Sequence, residues 1–215
     1  MDFNKNKSRV FRKKGILKRI INSLNLLILS QLKGVKLGNN IQILGENPII
    51  KRPCNGQIIL DDYVVLNSDF EKSNSALTTP IKLTTGYDGL IHIGKHSILN
   101  GSCIVSYESV EIGEYCEIAS CTLISDTDFH PADPIERLKQ MKGESFSFDS
   151  VSKRKITIGN NVWIGYGAII LKGCKIGNNC IIAAGAVCPG NSIYPDNCVI
   201  AGNPAKIVKK FDREV

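Results

Sequence analysis

From Ile158 to Cys188 an apolar residue returns at every sixth position: Ile158, Ile164, Ile170, Ile176, Ile182 and Cys188. Small residues recur four places after each aliphatic, at Val162, Ala168, Cys174, Cys180 and Ala186. A glycine follows the aliphatic at Gly159, Gly165 and Gly177. A period of six is neither the 3.6 of a helix nor the 2 of an ordinary strand. It suits a chain that coils into flat-sided turns, each stacking its aliphatic on the turn below and each too small to be stable alone. The expected fold is therefore an all-β solenoid.

The same register runs through earlier residues, less cleanly. Ile93, Leu99 and Val105 occupy the aliphatic slot with Ser97 and Cys103 in the small one, and Ile112, Ile118 and Ile124 follow with Cys116 and Thr122. Between Val105 and Ile112 the count slips by one, which predicts a bulge at a corner. Leu60 and Leu66 form another pair, and Leu37, Ile43 and Ile49 a weaker start. The hexads stop after Ile124 and resume at Ile158, leaving an insertion at 126–155 that carries Pro131, Pro134, a charged stretch from Ile135 to Lys142, and Phe146 and Phe148. A long interruption of a regular solenoid is usually functional or disordered. A second, Ser- and Thr-rich excursion is expected from about Asn67 to Gly89. The expected organisation is a basic tail with a short amphipathic helix at 1–34, a solenoid at 35–205 and a C-terminal tail at 206–215.

The net charge of +7 is not spread over the chain. Residues 1–20 hold Lys5, Lys7, Arg9, Arg12, Lys13, Lys14, Lys18 and Arg19 against Asp2 alone, so charges cancel over the remainder. Behind this run Ile16, Leu17, Ile20, Ile21, Leu24, Leu27 and Ile28 recur at helical spacing, broken by Asn22, Ser23 and Asn25. No stretch approaches the ~20 apolar residues of a spanning helix, and no small-x-small cleavage site stands near Ser30. Two compatible expectations remain: a cap over one end of the solenoid, or a peripheral helix in residues 1–30 on an anionic membrane surface. Without interleaved aromatics or a basic face on the body, a nucleic-acid partner is not expected.

Eight cysteines show no C-x-x-C spacing. Five fall in hexad slots, as compact core residues of a reducing compartment would, and the expected location is cytoplasmic. Of three histidines, His92 and His96 flank Ile93 and should point outward. Three that converge on a zinc ion are not expected from such positions. Nor does a repeated Thr face suggest an ice-binding solenoid. His130 lies in the insertion, within Asp126-Thr127-Asp128-Phe129-His130-Pro131, where nearby carboxylates could orient a neutral imidazole as a general base or simply cap a turn.

The hexads, this His-Pro between two blocks of coils, Asn-Asn-Val-Trp-Ile-Gly at 160–165 and Ala-Gly-Asn-Pro-Ala-Lys at 201–206 resemble the hexapeptide-repeat acyltransferases, within them the galactoside and maltose O-acetyltransferases and their polysaccharide-modifying relatives. The resemblance covers roughly residues 90–210. It implies a left-handed parallel β-helix, a homotrimer and acetyl-CoA as donor; no metal is expected, from the scattered histidines. His130 then resembles the catalytic base and Asn100 the residue that positions the acceptor. Tyr166 falls where a small residue often lines the CoA arm, and Ala184 matches a backbone contact to the pantetheine. Pro189 and Gly190 replace a Thr-Lys pair, and Lys206 takes the place of a basic residue near the nucleotide phosphate. Ser106 and Tyr107 stand where some members carry an acidic acceptor contact, which argues against a simple galactoside.

The implied chemistry is transfer of an acetyl group to a saccharide hydroxyl, with His130 as base and Asp128 or Asp126 as its orienting partner in the acceptor site. A surface-polysaccharide precursor fits as acceptor. N-acetylation of an amino sugar, or acetylation of an antibiotic, is the alternative.

Overall fold

The protein is described by a computed structural model that covers residues 24–212, apart from residues 25, 33, 54, 72, 74 and 75. The basic run at 1–20, and with it most of the expected amphipathic helix, lies outside the described residues. Seven turns follow one another. They comprise β1 (Val35–Leu37), β2 (Gln42–Gly45) and β3 (Ile49–Lys51); β4 (Gln57–Leu60), β5 (Val65–Ser68) and β6 (Lys82–Thr85); and β7 (Leu90–Ile93), β8 (Ile98–Asn100) and β9 (Cys103–Ser106). Next come β10 (Ser109–Ile112), β11 (Glu117–Ile118) and β12 (Leu123–Ser125), then, beyond the insertion, β13 (Ile156–Ile158), β14 (Trp163–Ile164) and β15 (Ile169–Leu171). β16 (Lys175–Ile176), β17 (Ile181–Ile182) and β18 (Val187–Cys188) make the sixth turn, and β19 (Ile193–Tyr194) and β20 (Cys198–Gly202) end the series.

Each strand pairs in parallel with the third strand along the chain, which sorts the strands into three sheets and makes a three-sided solenoid. The register explains the period of six. Ile158 pairs with Ile176 and Ile176 with Tyr194, eighteen residues apart, so three hexads make one turn. Aliphatics from all three sides meet inside: Ile158, Ile164, Ile170, Ile176 and Ile182 are buried, and the small slots Val162, Ala168, Cys174, Cys180 and Ala186 fill the corners beside them. The series extends past Cys188 through the buried Tyr194 and Ile200.

One corner shows why glycine follows the aliphatic. A Cβ on Gly177 would stand 2.2 Å from Asp196 Oδ1, because that carboxylate accepts the Asn178 amide at 2.7 Å. The next residue up the same corner takes a positive φ at Asn161, Asn179 and Asn197, and their amides chain together at 2.9 Å. Asparagine tolerates that conformation better than most residues, and each ladder bond satisfies a polar group at a strained corner.

Four expectations change. The slip in register has two parts: Ile104, not Val105, pairs with Ile124 and Leu83 in the core, and Ser102, not Cys103, takes the small slot, so this corner is one residue short, and the extra length expected before Ile112 then follows Ile104. The corner is shortened at Gly101, where φ is +42° and a Cβ would meet Leu77 Cδ2 at 2.4 Å. The Ser/Thr-rich excursion is narrower than 67–89, since β6 lies inside it and buries Leu83 fully. The chain at 206–215 is not simply a tail. After Gly202 it reverses into β21 (Ala205–Lys210), antiparallel to β20, and gives the last strand of the second sheet a partner. Finally, the insertion is built: α1 (Pro134–Lys142) starts at the N-cap Asp133, and a short 3-10 turn follows at Phe148–Ser150.

Candidate functional site

The insertion leaves the third sheet after β12 on two paired legs. Thr127 bridges Lys153, the Asp128 amide donates to Ser152 O, and the Arg154 amide returns to Asp126 O at 2.8 Å. Asp126 anchors this base. Fully buried, its carboxylate accepts from Ser106 Oγ at 2.8 Å, the Tyr107 amide at 2.6 Å and the Glu108 amide at 2.9 Å. Burial pushes its carboxyl above the usual range, against the pull of these donors. Asp128 is an exposed partner of Lys172. Both aspartates are therefore engaged elsewhere, and neither is the partner of the histidine ring.

That partner is Gln140. His130 Nδ1 lies 2.8 Å from Gln140 Oε1, on the second turn of α1. The helix is held against the histidine from several sides. Asp133 Oδ1 accepts both the Ile135 and Glu136 amides at 2.9 Å, a normal N-terminal cap. Arg137 donates to Pro131 O and Ala132 O, the two carbonyls that follow His130, at 3.1 and 2.9 Å. Phe129 meets Tyr107 edge-on at 6.5 Å between centroids. The imidazole itself stays exposed.

Asn100 ends β8 at the edge between the second and third sheets. Its Oδ1 accepts from Asn67 Nδ2 at 2.9 Å and its Nδ2 donates to Ile118 O at 3.3 Å. Tyr166 and Ala184 share that edge in successive turns: the Gly185 amide donates to Tyr166 O at 2.8 Å. Nothing lies within 4 Å of a Cβ built on Gly167 or Gly185, so this edge is open. Tyr166 contacts Cys121, which raises its phenol, and Thr78 Oγ1 lies 3.1 Å from the same thiol. Lys206 joins the edge through β21, opposite Ala201. Pro189 and Gly190 do not. They follow β18 at the edge between the third and first sheets, where the Asn191 amide donates to the carbonyl of Lys172, the partner of Asp128. The sites thus form two groups flanking the third sheet. Asn100, Tyr166, Ala184 and Lys206 lie on one edge, and His130, Asp128, Pro189 and Gly190 on the other.

The other histidines are structural. His92 Nε2 lies 3.1 Å from Asp61, and His96 is sandwiched between Tyr63 and Tyr115 at 4.7 and 4.9 Å. Among the described residues no three His, Cys, Asp or Glu side chains gather as metal ligands, and the seven cysteines are free thiols. Burial pushes the Cys188 thiol up to about 12, so it is a poor nucleophile at neutral pH. A cleft of about 550 Å3 on the second sheet, lined by Trp163, Ile181 and Phe211 among others, includes none of the eight site residues.

Residues 155–190 match the model of the bacterial transferase hexapeptide (six repeats). The chain carries the hexapeptide-transferase repeat. It is 40% identical over 136 residues to a Dictyostelium discoideum protein named as an acetyltransferase, covering 62% of this chain and 64% of that one. It is 30% identical over 156 residues to the polysialic acid O-acetyltransferase of Neisseria meningitidis, covering 72% of this chain and 62% of that one. Among solved structures it resembles a galactoside acetyltransferase in complex with coenzyme A, at 33% identity and a TM-score of 0.50 over 62% of this chain and 60% of that one. The chain spans less than two thirds of the length of each of these curated relatives. Gln140 and the Asp126 anchor were not foreseen from the sequence. The Asp133-Pro134 pair ahead of a charged run was the available signal for the helix that carries Gln140.

Proposed function

We propose that this protein is an acetyl-CoA-dependent O-acetyltransferase acting on a saccharide hydroxyl, with His130 as general base. One observation carries the reading: an exposed imidazole at the root of the insertion has its Nδ1 against an amide oxygen, which leaves Nε2 to accept a proton. A sugar hydroxyl is too weak an acid to ionise near neutrality, so it needs a base in contact as it attacks the thioester carbonyl. The hydroxyl oxygen bonds to the acetyl carbon while Nε2 takes the hydroxyl proton. The tetrahedral intermediate then collapses, the C–S bond breaks, and the imidazolium returns the proton to the departing CoA sulfur. The open edge at Tyr166, Gly167, Ala184 and Gly185 is where the pantetheine arm would lie, with Lys206 toward the nucleotide phosphates. Asn100 holds the acceptor.

In this reading the solenoid is left-handed and assembles as a trimer. The name of the Neisseria relative supports a polymeric or surface-glycan acceptor. Among the described residues no helix is long and apolar enough to cross a membrane. The basic run at 1–20, together with the exposed Leu24, Leu27 and Ile28 that follow it, would instead hold the enzyme peripherally on an anionic lipid surface.

The test is His130→Ala. Base catalysis contributes about 10²–10⁴-fold in rate, so kcat should fall by that factor while acetyl-CoA binding and folding are retained. More than about a tenth of the parent kcat in the variant would sink the assignment. Asn100→Ala should instead raise the acceptor KM.

A further inference from the structure

We propose that Gln140 is the positioning residue that sets the tautomer of His130, in place of the carboxylate that such a base commonly uses. The inference rests on the reading of His130 as base. Gln140 Oε1 faces Nδ1 at 2.8 Å, and because an amide oxygen only accepts, we take Nδ1 as the nitrogen that carries the imidazole's one hydrogen. In the neutral ring that places the hydrogen on Nδ1 and the lone pair on Nε2, the form required to receive a proton from substrate. Without Gln140 nothing else described near the ring makes this choice, because Asp126 is occupied by residues 106–108 and Asp128 by Lys172.

The position of Gln140 does not depend on the histidine. The cap by Asp133 and the left-handed Gly143 at the C-cap close α1 at both ends, and the Arg137 clamp on Pro131 O and Ala132 O ties it to the leg without the histidine side chain. Removing the Gln140 amide should therefore leave the insertion folded. A neutral partner also differs from a carboxylate in what it does. It orients the ring and selects a tautomer without adding a negative charge beside the imidazolium that forms during transfer.

The chain has only three histidines, so nitrogen-15 labelling of histidine gives a spectrum that His130→Ala assigns by subtraction. At a pH where the ring is neutral, the parent protein should show Nδ1 protonated and Nε2 unprotonated. Gln140→Leu should lose that pattern toward the Nε2-protonated form. Gln140→Glu keeps an acceptor and should retain it. In kinetics Gln140→Leu should lower kcat by about tenfold or more with the acetyl-CoA KM unchanged, and Gln140→Glu should recover most of the loss. Nε2 protonated in the parent, or an unchanged tautomer and kcat in Gln140→Leu, would overturn the proposal. Failure of the base assignment is separately visible, because it appears as activity retained by His130→Ala whatever the tautomer spectrum shows.

Discussion

Replacing Asp126 tests how the insertion is fastened to the solenoid. In Asp126→Ala the Ser106 hydroxyl and the Tyr107 and Glu108 amides lose their acceptor together. A buried donor left unpaired costs about 1–3 kcal/mol. Ser106 is fully buried, whereas the side chains of Tyr107 and Glu108 are exposed and water can reach part of that turn. The total is thus nearer the lower end, about 3 kcal/mol for the three. For a chain of this size that corresponds to a fall in Tm of roughly 6–12 °C. Asp126→Asn retains one acceptor oxygen and should lose less. The pH dependence has a definite sign. Because burial raises the carboxyl above its unfolded value, the native state holds this proton more tightly than the unfolded chain does. The stability that follows is present below the unfolded pKa of roughly 4 and is lost as pH rises through the folded value. The Tm of Asp126→Asn relative to the parent should therefore improve as pH is raised from about 4 to 7. Thermal melts followed by circular dichroism at several pH values measure both effects, and hydrogen exchange at residues 127–129 and 152–154 reports whether the legs loosen. A fall in Tm of less than about 2 °C for Asp126→Ala would show that the three bonds do not anchor the insertion.

Two further outcomes follow from the proposed assembly and location. If each site takes His130 from one copy and Asn100 from another, co-expressed His130→Ala and Asn100→Ala chains should recover about a quarter of the parent activity, although each alone is impaired. No recovery would place both residues of a site in one chain. A chain starting at Gly15 lacks six of the eight basic residues at 1–20 and should co-sediment with anionic vesicles much less than the full chain, with the difference shrinking in high salt. Equal sedimentation would leave the basic run without a membrane role.

The solenoid was legible because stacking is repetitive. Each turn must place an aliphatic over the one below, so Ile158, Ile176 and Tyr194 answer to a single geometric condition and leave a period in the sequence. Legibility failed where two residues met that condition equally well. Ile104 and Val105 are adjacent and both aliphatic, and only the tight corner at Gly101, closed by Leu77 from a loop far earlier in sequence, decides between them. The strand Lys82–Thr85 was hidden for a related reason: the inward positions there are Ile81, Leu83 and the polar Thr85, too short an apolar alternation inside a Ser/Thr-rich stretch to register.

The site was harder to read because its contacts cross turns or the insertion, with no period to betray them. Asp126 reaches back to Ser106, Tyr107 and Glu108 in the preceding turn, and Gln140 reaches His130 only because a helix folds between them. From the sequence alone Asp126 and Asp128 both stand close enough to serve as the partner. In the structure Asp126 is consumed in anchoring the loop and Asp128 pairs with Lys172, and a neutral amide ten residues beyond the histidine takes the ring. The division of labour is physically coherent. A buried carboxylate is costly to leave unpaired and suits a rigid anchor, whereas a half-exposed amide can direct a tautomer without altering the charge of the ring. What the sequence could show was which residues were available to the site. Which edge each occupies is a consequence of the three-sided coil, and it separates His130 from Asn100 across the third sheet. An acetyl transfer that needs both residues in contact with one acceptor is therefore more readily built between two copies of the solenoid than within one.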